Sequence, residues 1–427
     1  MENMKLSTYK VESGIDWNRV YGLILAGGQS SRLFPFNKVL SDLTGQGRTL
    51  LQQAADRLTK IFRKGPHAGF ISSQKIYVLT TPGFVLPMSR QLRLPSSHFF
   101  IDPARRGTWP AILWAMAHIG LKDAEATLAV TTSDHIIPHV EAFRKGAAQA
   151  IRLAQEKPAL VVLAVKPSSD PQDWLGFGSF KMEGRPVAAR PRVISGFEEK
   201  PSLERAHQMI REGGWQWNAG MFFFSISTAE RALERLQPAM YEIYATMQME
   251  LRKGNIAKAK KIFERFPSKI PHPLKPECEA DNTIDYAMAA PLVRDPIDPL
   301  AVYGVPGALP EWTDLGRWDV LRTLVPRDSH GNVRVGHIKA GRSVRNCILV
   351  ADQGCWMEVS GLQDSVAAFS SGRALVLPVA ELGRVKELVA EADGRSVVAP
   401  GLPAGSVSLT RNRLRVVVPP FRHSRGL

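Results

Sequence analysis

The sequence predicts an α/β protein: a parallel sheet covered by helices, followed by a smaller β-rich unit. From Tyr21 onward, short β-branched or apolar runs alternate with longer segments of helical period, the pattern of strands joined by covering helices. After Arg327 the texture changes to short apolar pieces (333–335, 347–350 and 374–379) punctuated by Gly331, Gly336 and Gly341. The length, 427 residues, is room for two or three domains at roughly 150 residues each. The divisions are an N-terminal extension over 1–20, the main domain over 21–325, the β-rich unit over 326–390, and a linker with a basic tail over 391–427.

Candidate strands, in order, are 21–26, 75–80, 127–131, 160–166, 193–198 and 221–225. Between the first two, Leu51, Ala54, Ala55, Leu58 and Phe62 fall on one helical face. Ser227 to Glu230 reads S-T-A-E, a capping box expected to open the helix after the last of these strands. Residues 400–405 read as a linker.

With 44% hydrophobic and 22% charged residues the chain is a folded globular protein, not a disordered one. No apolar run approaches the roughly 18 residues a bilayer span requires. The N-terminus lacks the apolar core of a signal peptide, and Cys278, Cys347 and Cys355 show no metal-finger spacing. These features predict a cytoplasmic protein with no membrane partner. The net charge of +15 favours anionic ligands. Arg411, Arg413, Arg415, Arg422 and Arg425 crowd an acid-free C-terminus in which aromatics do not alternate with the arginines, Phe421 being the one present, so a solvated basic tail is a better reading than a nucleic-acid site.

Three groups of residues carry chemistry. In the first, L-A-G-G-Q-S-S-R-L over 25–33 puts Gly27 and Gly28 directly after a buried strand, where backbone N–H groups can approach phosphates. Arg32 can bridge phosphate oxygens and Lys38 can add a point charge. Neither established phosphate-loop spacing is present, and a tight strand-to-helix turn is the structural alternative. In the second group, Asp134 follows an apolar strand in T-T-S-D-H, and Asp314 adjoins a glycine turn in W-T-D-L-G-R-W. Two separated carboxylates plus substrate phosphates are what a Mg²⁺ site uses. Helix capping is the alternative for Asp134. The third group, Glu199 and Lys200 with Asn218, offers acceptors, a cation and an amide suited to a sugar phosphate. Surface ion pairing and turn formation are the alternatives there.

The ordered series L-A-G-G-x-S-S-R-L-x-P, D-P-x-x-R-G-T-W-P-A-I (102–112), S-D-H, G-F-G (176–178), E-K-P, W-N-A-G-M-F, T-I-D-Y (283–286) and W-x-D-x-G-x-W resembles the sugar-phosphate nucleotidyltransferases, most of all bacterial mannose-1-phosphate guanylyltransferases. The resemblance spans about 21–325 and continues weakly to about 389. It implies a Rossmann-like mixed sheet followed by a β-helix-like C-terminal unit. It further implies that a sugar 1-phosphate oxygen attacks the α-phosphorus of a nucleoside triphosphate in line, with Mg²⁺ as cofactor and pyrophosphate released.

Carried over by motif, Ala26, Gly27, Gly28, Thr108 and Pro110 would bind the nucleotide, with Thr108 also able to cap the helix that follows. Arg32 and Lys38 would be catalytic, and Asp134 and Asp314 would hold the metal. Gly178, Glu199, Lys200, Asn218 and Asp285 would bind the sugar phosphate. GTP and mannose 1-phosphate are the substrates implied, and GDP-mannose the product. No cupin domain is evident, so one activity is expected. The sequence leaves oligomeric state open, a homo-oligomer included.

The chain departs from the family pattern at Ser30, where a glycine is usual, and in a shortened loop between Arg32 and Lys38. Trp109 and Arg317 each replace a small residue. Competing readings are a nucleotidyltransferase making an ADP-, UDP- or CDP-sugar, and a non-catalytic sugar-nucleotide-binding paralogue.

Overall fold

The computed structural model describes residues 14–28, 31–59, 69, 71–184, 190–392, 396–398 and 407–417. Phe62, Ser30, the 400–405 linker, Arg422, Arg425 and the first part of the N-terminal extension lie outside them.

The N-terminal part contains strands β1 (Val20–Leu25), β2 (Ile76–Thr80), β3 (Phe99–Ile101), β4 (Thr127–Thr132), β5 (His135–Ile136), β6 (Ala159–Val165) and β7 (Gly178–Met182). It continues with β8 (Arg192–Glu199), β9 (Trp215–Ser225), β10 (Lys269–His272), β11 (Lys275–Asp281), β12 (Ala301–Leu309) and β13 (Thr313–Asp314). The main sheet runs in the order β3-β2-β1-β4-β9-β6-β12-β8-β7. β1 pairs in parallel with β2 and β4, and β2 with β3. β9 enters antiparallel to both β4 and β6, and β8 is antiparallel to β12 and β7. The sheet is therefore mixed and not, as the alternation alone suggests, parallel throughout.

Both faces of the sheet are covered, which is why its strands read as nearly continuous apolar runs. Along β1, Tyr21 and Leu23 enter one hydrophobic core, while Val20 and Ile24 enter the other. The helix Thr108–Gly120 is buried almost all round and packs into the first core. The helix Val140–Glu156 offers Phe143, Ala147, Ala150 and Ile151 to the second. Ser225, not Ser227, caps the helix Ile226–Leu236: its side chain accepts from the Thr228 backbone N–H, which leaves Ser227 inside the first turn. The periodicity located that helix, but its start lies two residues earlier than the S-T-A-E signature suggests.

The C-terminal part holds β14 (Val333–Val335), β15 (His337–Ala340), β16 (Ile348–Ala351), β17 (Trp356–Ser360) and β18 (Ser365–Ser370). After these come β19 (Arg373–Pro378), β20 (Val397–Val398), β21 (Val407–Leu409) and β22 (Arg413–Val417). They form two small sheets, β14-β16-β18-β19-β20 and β15-β17-β22-β21. Residues expected in the basic tail are built into the second sheet: β22 lies parallel to β17, with Leu414 and Val416 buried and Arg413 and Arg415 exposed between them.

This part shares a core with the main domain. Leu33, Phe34 and Phe36, just beyond the glycine loop, and Trp318 cluster with Val333, Ile348 and Leu375. Phe36 meets Trp318 edge to face at 5.7 Å between centroids. Among the described residues no helix is long and apolar enough to cross a membrane, and all three cysteines are free.

Candidate active site

The register of the parallel strands brings their carboxyl ends together. Leu25 stands opposite Leu79 on one side and Thr132 on the other, and Thr80 stands opposite Ile101. The segments that continue from β1, β2, β3 and β4 therefore open into one crevice, the place where an α/β sheet gathers ligands. Loop hydrogen bonds fix it. The Ala26 N–H donates to the Leu79 carbonyl at 2.8 Å, the Thr80 hydroxyl to the Ala26 carbonyl at 3.0 Å, and the Ser133 hydroxyl to the Leu25 carbonyl at 2.8 Å.

The resulting cleft, about 410 Å³, is lined by Gly27, Gly28, Lys38, Asp102, Thr108 and Asp134 among others. Gly27 and Gly28 are exposed and take no left-handed backbone conformation, and a Cβ on either would meet nothing within 4 Å. The chain's own packing does not require glycine at these positions.

Gly107 is different. Its φ is 108°, and a Cβ would lie 2.1 Å from the Asn282 carbonyl oxygen. Gly107 is the N-cap of the helix Thr108–Gly120, with no side-chain cap. Thr108 is thus the first helical residue, exposed on the cleft wall, and does not cap the helix.

At one edge of the cleft the short β5–β13 pairing sets Asp314 opposite His135, next to Asp134. The Lys38 ammonium donates to Asp134 Oδ2 at 2.5 Å. Burial pushes the Asp134 carboxyl up, but the positive charges facing it, His135 when protonated and Lys38, more than offset this and hold it below the usual range. Asp314 is pushed up, first by burial and then by the charge on Asp134, with Lys38 acting in the other direction. His135 itself is buried, which lowers it to about 4. Its Nδ1 lies 2.6 Å from the Thr132 hydroxyl and its ring packs edge to face on Trp312.

A second cluster forms where β7, β8 and β9 meet. Gly178 pairs with Glu199 across β7–β8, and a Cβ on Gly178 would fall 2.2 Å from Glu199 Oε2. Glycine is what leaves room for that carboxylate. Lys200, in a left-handed conformation at φ 46°, reaches back to Glu199 at 3.4 Å. The Asn218 amide donates to Asp285 Oδ1, while its own carbonyl accepts from the Gly220 N–H at 2.9 Å. Asp285 opens a single π-helical turn, Asp285–Ala289, a device common at functional sites. Burial first, and then the charge on Glu199, push Asp285 up to about 6; Glu199 is pushed up by burial, with Lys200 opposing.

The structure thus brings Gly27, Gly28, Lys38, Thr108 and Asp134 to one cleft, with Asp314 opposite His135 beside it but off its lining, and Gly178, Glu199, Lys200, Asn218 and Asp285 to another cluster. Three candidates stand apart. Ala26 is buried and anchors the loop through its backbone. Pro110 is buried within the first turn of its helix, and Ala111 takes the place on the cleft wall. Arg32 lies exposed on the 3-10 turn Ser31–Leu33, outside the cleft lining. Of the two unusual residues, Trp109 is fully buried in a core, and Arg317 is exposed, paired with Asp319 at 3.0 Å, with its charge also acting on Asp314.

Sequence reasoning missed Asp102 and Arg105 on the cleft wall. Burial raises Asp102 to about 6 despite a bond from the Ala104 N–H and the charge of Arg105. The available signal was its position at the head of D-P-x-x-R-G-T, immediately after a short strand the periodicity did not detect.

The nucleotidyl transferase family model matches residues 21–329, most of the chain, and the protein belongs to that family; it is a nucleotidyltransferase. It is 29% identical to the alginate biosynthesis protein AlgA of Pseudomonas aeruginosa over 388 residues, covering 88% of this chain and 73% of that one. It is 28% identical to a mannose-1-phosphate guanylyltransferase of Escherichia coli, covering 78% of this chain and 65% of the other. Among solved structures, a Thermus thermophilus protein described as a mannose-1-phosphate geranyltransferase shares the fold with a TM-score of 0.66 at 24% identity, over 88% of this chain and 99% of that one.

Proposed function

We propose that the protein joins mannose 1-phosphate to the guanylyl group of GTP, forming GDP-mannose. A phosphate oxygen of the sugar 1-phosphate forms a bond to the α-phosphorus as the bond to the β-phosphate oxygen breaks, and pyrophosphate leaves. The observation that carries this reading is the junction of Lys38, Asp134 and Asp314 at the edge of a glycine-floored cleft. No protein nucleophile is needed, and what remains for the chain is positioning and charge neutralisation.

In this reading the Gly27 and Gly28 N–H groups approach the triphosphate and Thr108 lies beside the nucleoside. Lys38 meets the developing negative charge, and Arg32, on the exposed turn, is assigned to the departing pyrophosphate. Glu199 and Asp285 accept hydrogen bonds from sugar hydroxyls, which add to the donors that Lys200 and Asn218 already give these two mutually repelling carboxylates. Lys200 faces the sugar's phosphate.

Asp134 and Asp314 fit Mg²⁺: they are hard oxygen donors, and Asp314 is destabilised by the neighbouring Asp134 charge that a cation would relieve. The ion, when bound, supplies neutralisation of phosphate charge. A β-helix-like description of the C-terminal unit is supported by the parallel pairing of alternate segments, β14 with β16 and β15 with β17.

Pyrophosphate release, measured with Mg²⁺ for GTP, ATP, UTP and CTP against mannose 1-phosphate and glucose 1-phosphate, tests the reading. Selective release with GTP and mannose 1-phosphate is expected. Release with another pair would replace the substrates and keep the chemistry. Silence in every combination, with nucleotide binding intact, would overturn it in favour of a non-catalytic binding protein.

A further inference from the structure

A second cavity exceeds the glycine-floored cleft in volume. It is a separate one of about 590 Å³, whose lining includes Arg48, Arg57, Arg144, Gln46, Gln53 and Glu311. Its size is within the range of small-molecule sites. The helix Leu50–Thr59 turns Leu51, Ala54 and Leu58 into the core, and Arg57 is buried along with them. Burial lowers the Arg57 guanidinium to about 10, although Asp134 and Asp56 act in the other direction.

Arg57 packs over the Phe143 ring, and its Nη2 is buried without a hydrogen-bond partner among the described residues. Arg144 Nε is likewise unpartnered, although its Nη1 is paired with Glu141. A buried guanidinium with an unsatisfied donor is costly unless something completes it. The lining also holds neutral amides and the carboxylates Asp56 and Glu311, which suit hydroxyl groups rather than a bare inorganic anion. The Ile136 and Ile137 wall follows directly on Asp134 and His135, and the charge of Arg57 reaches both of those residues.

We infer that this cavity is a second ligand site that takes a phosphorylated, polyhydroxylated metabolite of hexose-phosphate size, its phosphate on Arg57 and Arg144 and its hydroxyls toward Glu311 and the glutamines. The site is distinct from the Lys200 cluster.

The test is calorimetric titration of the full chain with glucose 6-phosphate and, separately, with inorganic phosphate. Saturable glucose 6-phosphate binding is expected in the wild type and in Lys200→Gln. Arg144→Ala should weaken it about tenfold or more, the loss of one charge-assisted contact, with an unchanged melting temperature. Arg57→Gln should abolish binding. Because that variant removes a buried group and can fail to fold, Arg144→Ala is the deciding substitution. Three results would overturn the proposal: no saturable binding; binding lost in Lys200→Gln yet unchanged in Arg144→Ala; or inorganic phosphate binding as tightly as glucose 6-phosphate.

Discussion

Two carboxylate clusters in one domain have opposite electrostatic settings. Asp134 and Asp285 both experience burial that disfavours their charge, yet Asp134 ends below its ordinary range and Asp285 rises to about 6. The difference is the neighbour. Asp134 has the Lys38 ammonium at 2.5 Å, whereas Asp285 faces a second carboxylate, Glu199, and a neutral amide, Asn218. A site for phosphate transfer needs fixed charge before substrate arrives. A site for sugar hydroxyls can hold carboxylate acceptors with spare capacity for the donors a sugar brings.

The comparison is broken most severely at Asp134. Asp134→Asn keeps the shape but removes the carboxylate charge that Lys38 is paired with, one of the two neighbouring carboxylates. Pyrophosphate release is expected to fall roughly 10²- to 10³-fold, the scale for loss of one preorganised charge-stabilising group, with nucleotide affinity changed far less. Loss of folding on heating and in circular dichroism would instead make Asp134 structural.

Next in size is the packing that holds Lys38. Phe36 and Trp318 link its loop to the C-terminal sheets, and both are buried. Trp318→Ala should cost about 3–5 kcal/mol of unfolding free energy, read by denaturant titration, and should lower turnover because Lys38 is no longer held against Asp134. A variant that lost stability but kept full turnover would detach the C-terminal unit from the site.

Asp285→Asn addresses the other cluster. The folded protein holds the Asp285 proton more tightly than the unfolded chain does. Its contribution is therefore largest below pH 3.8 and is lost as pH rises from 3.8 to about 6. The asparagine variant should be more stable than the wild type at pH 7, by on the order of 3 kcal/mol at most, with a flatter stability profile across that window. Sugar-phosphate KM should rise, because an acceptor is lost. Melting curves from pH 4 to 8 provide the check; identical pH profiles would show that Asp285 carries no shifted proton.

Much of this was legible in the sequence where one residue type has one physical use. The apolar runs of β1, β4 and β6 lie between two covered faces, and their periodicity marked them. The placement of Gly27, Gly28 and Asp134 on a cleft could be read because the carboxyl ends of parallel strands open into one. Other features were hidden for physical reasons. β12 carries Gly304, Pro306 and Gly307, which read as breakers until the neighbouring strands hold them. β3 has three residues, too few to show a period. The insertion of β9 antiparallel between β4 and β6 is a long-range choice without a local mark. Arg32 shows the converse: its motif did not announce that the turn after the glycine loop leaves it exposed and outside the cleft lining.

The smallest effect is expected at Lys200, the counterpart of Lys38 in the second cluster. Its ammonium lies 3.4 Å from Glu199 with 65% of the side chain exposed, against 15% for Lys38. Water already screens that pair, so Lys200→Gln should change unfolding free energy by less than about 0.5 kcal/mol. Its effect should appear in ligand binding, as a raised KM for the sugar phosphate with kcat nearly constant, since a cation that meets the substrate phosphate equally before and during transfer contributes uniform binding. If kcat fell together with kcat/KM, Lys200 would be acting on the transition state, and the division between a cluster that holds the sugar and a cleft that performs the transfer would have to be redrawn.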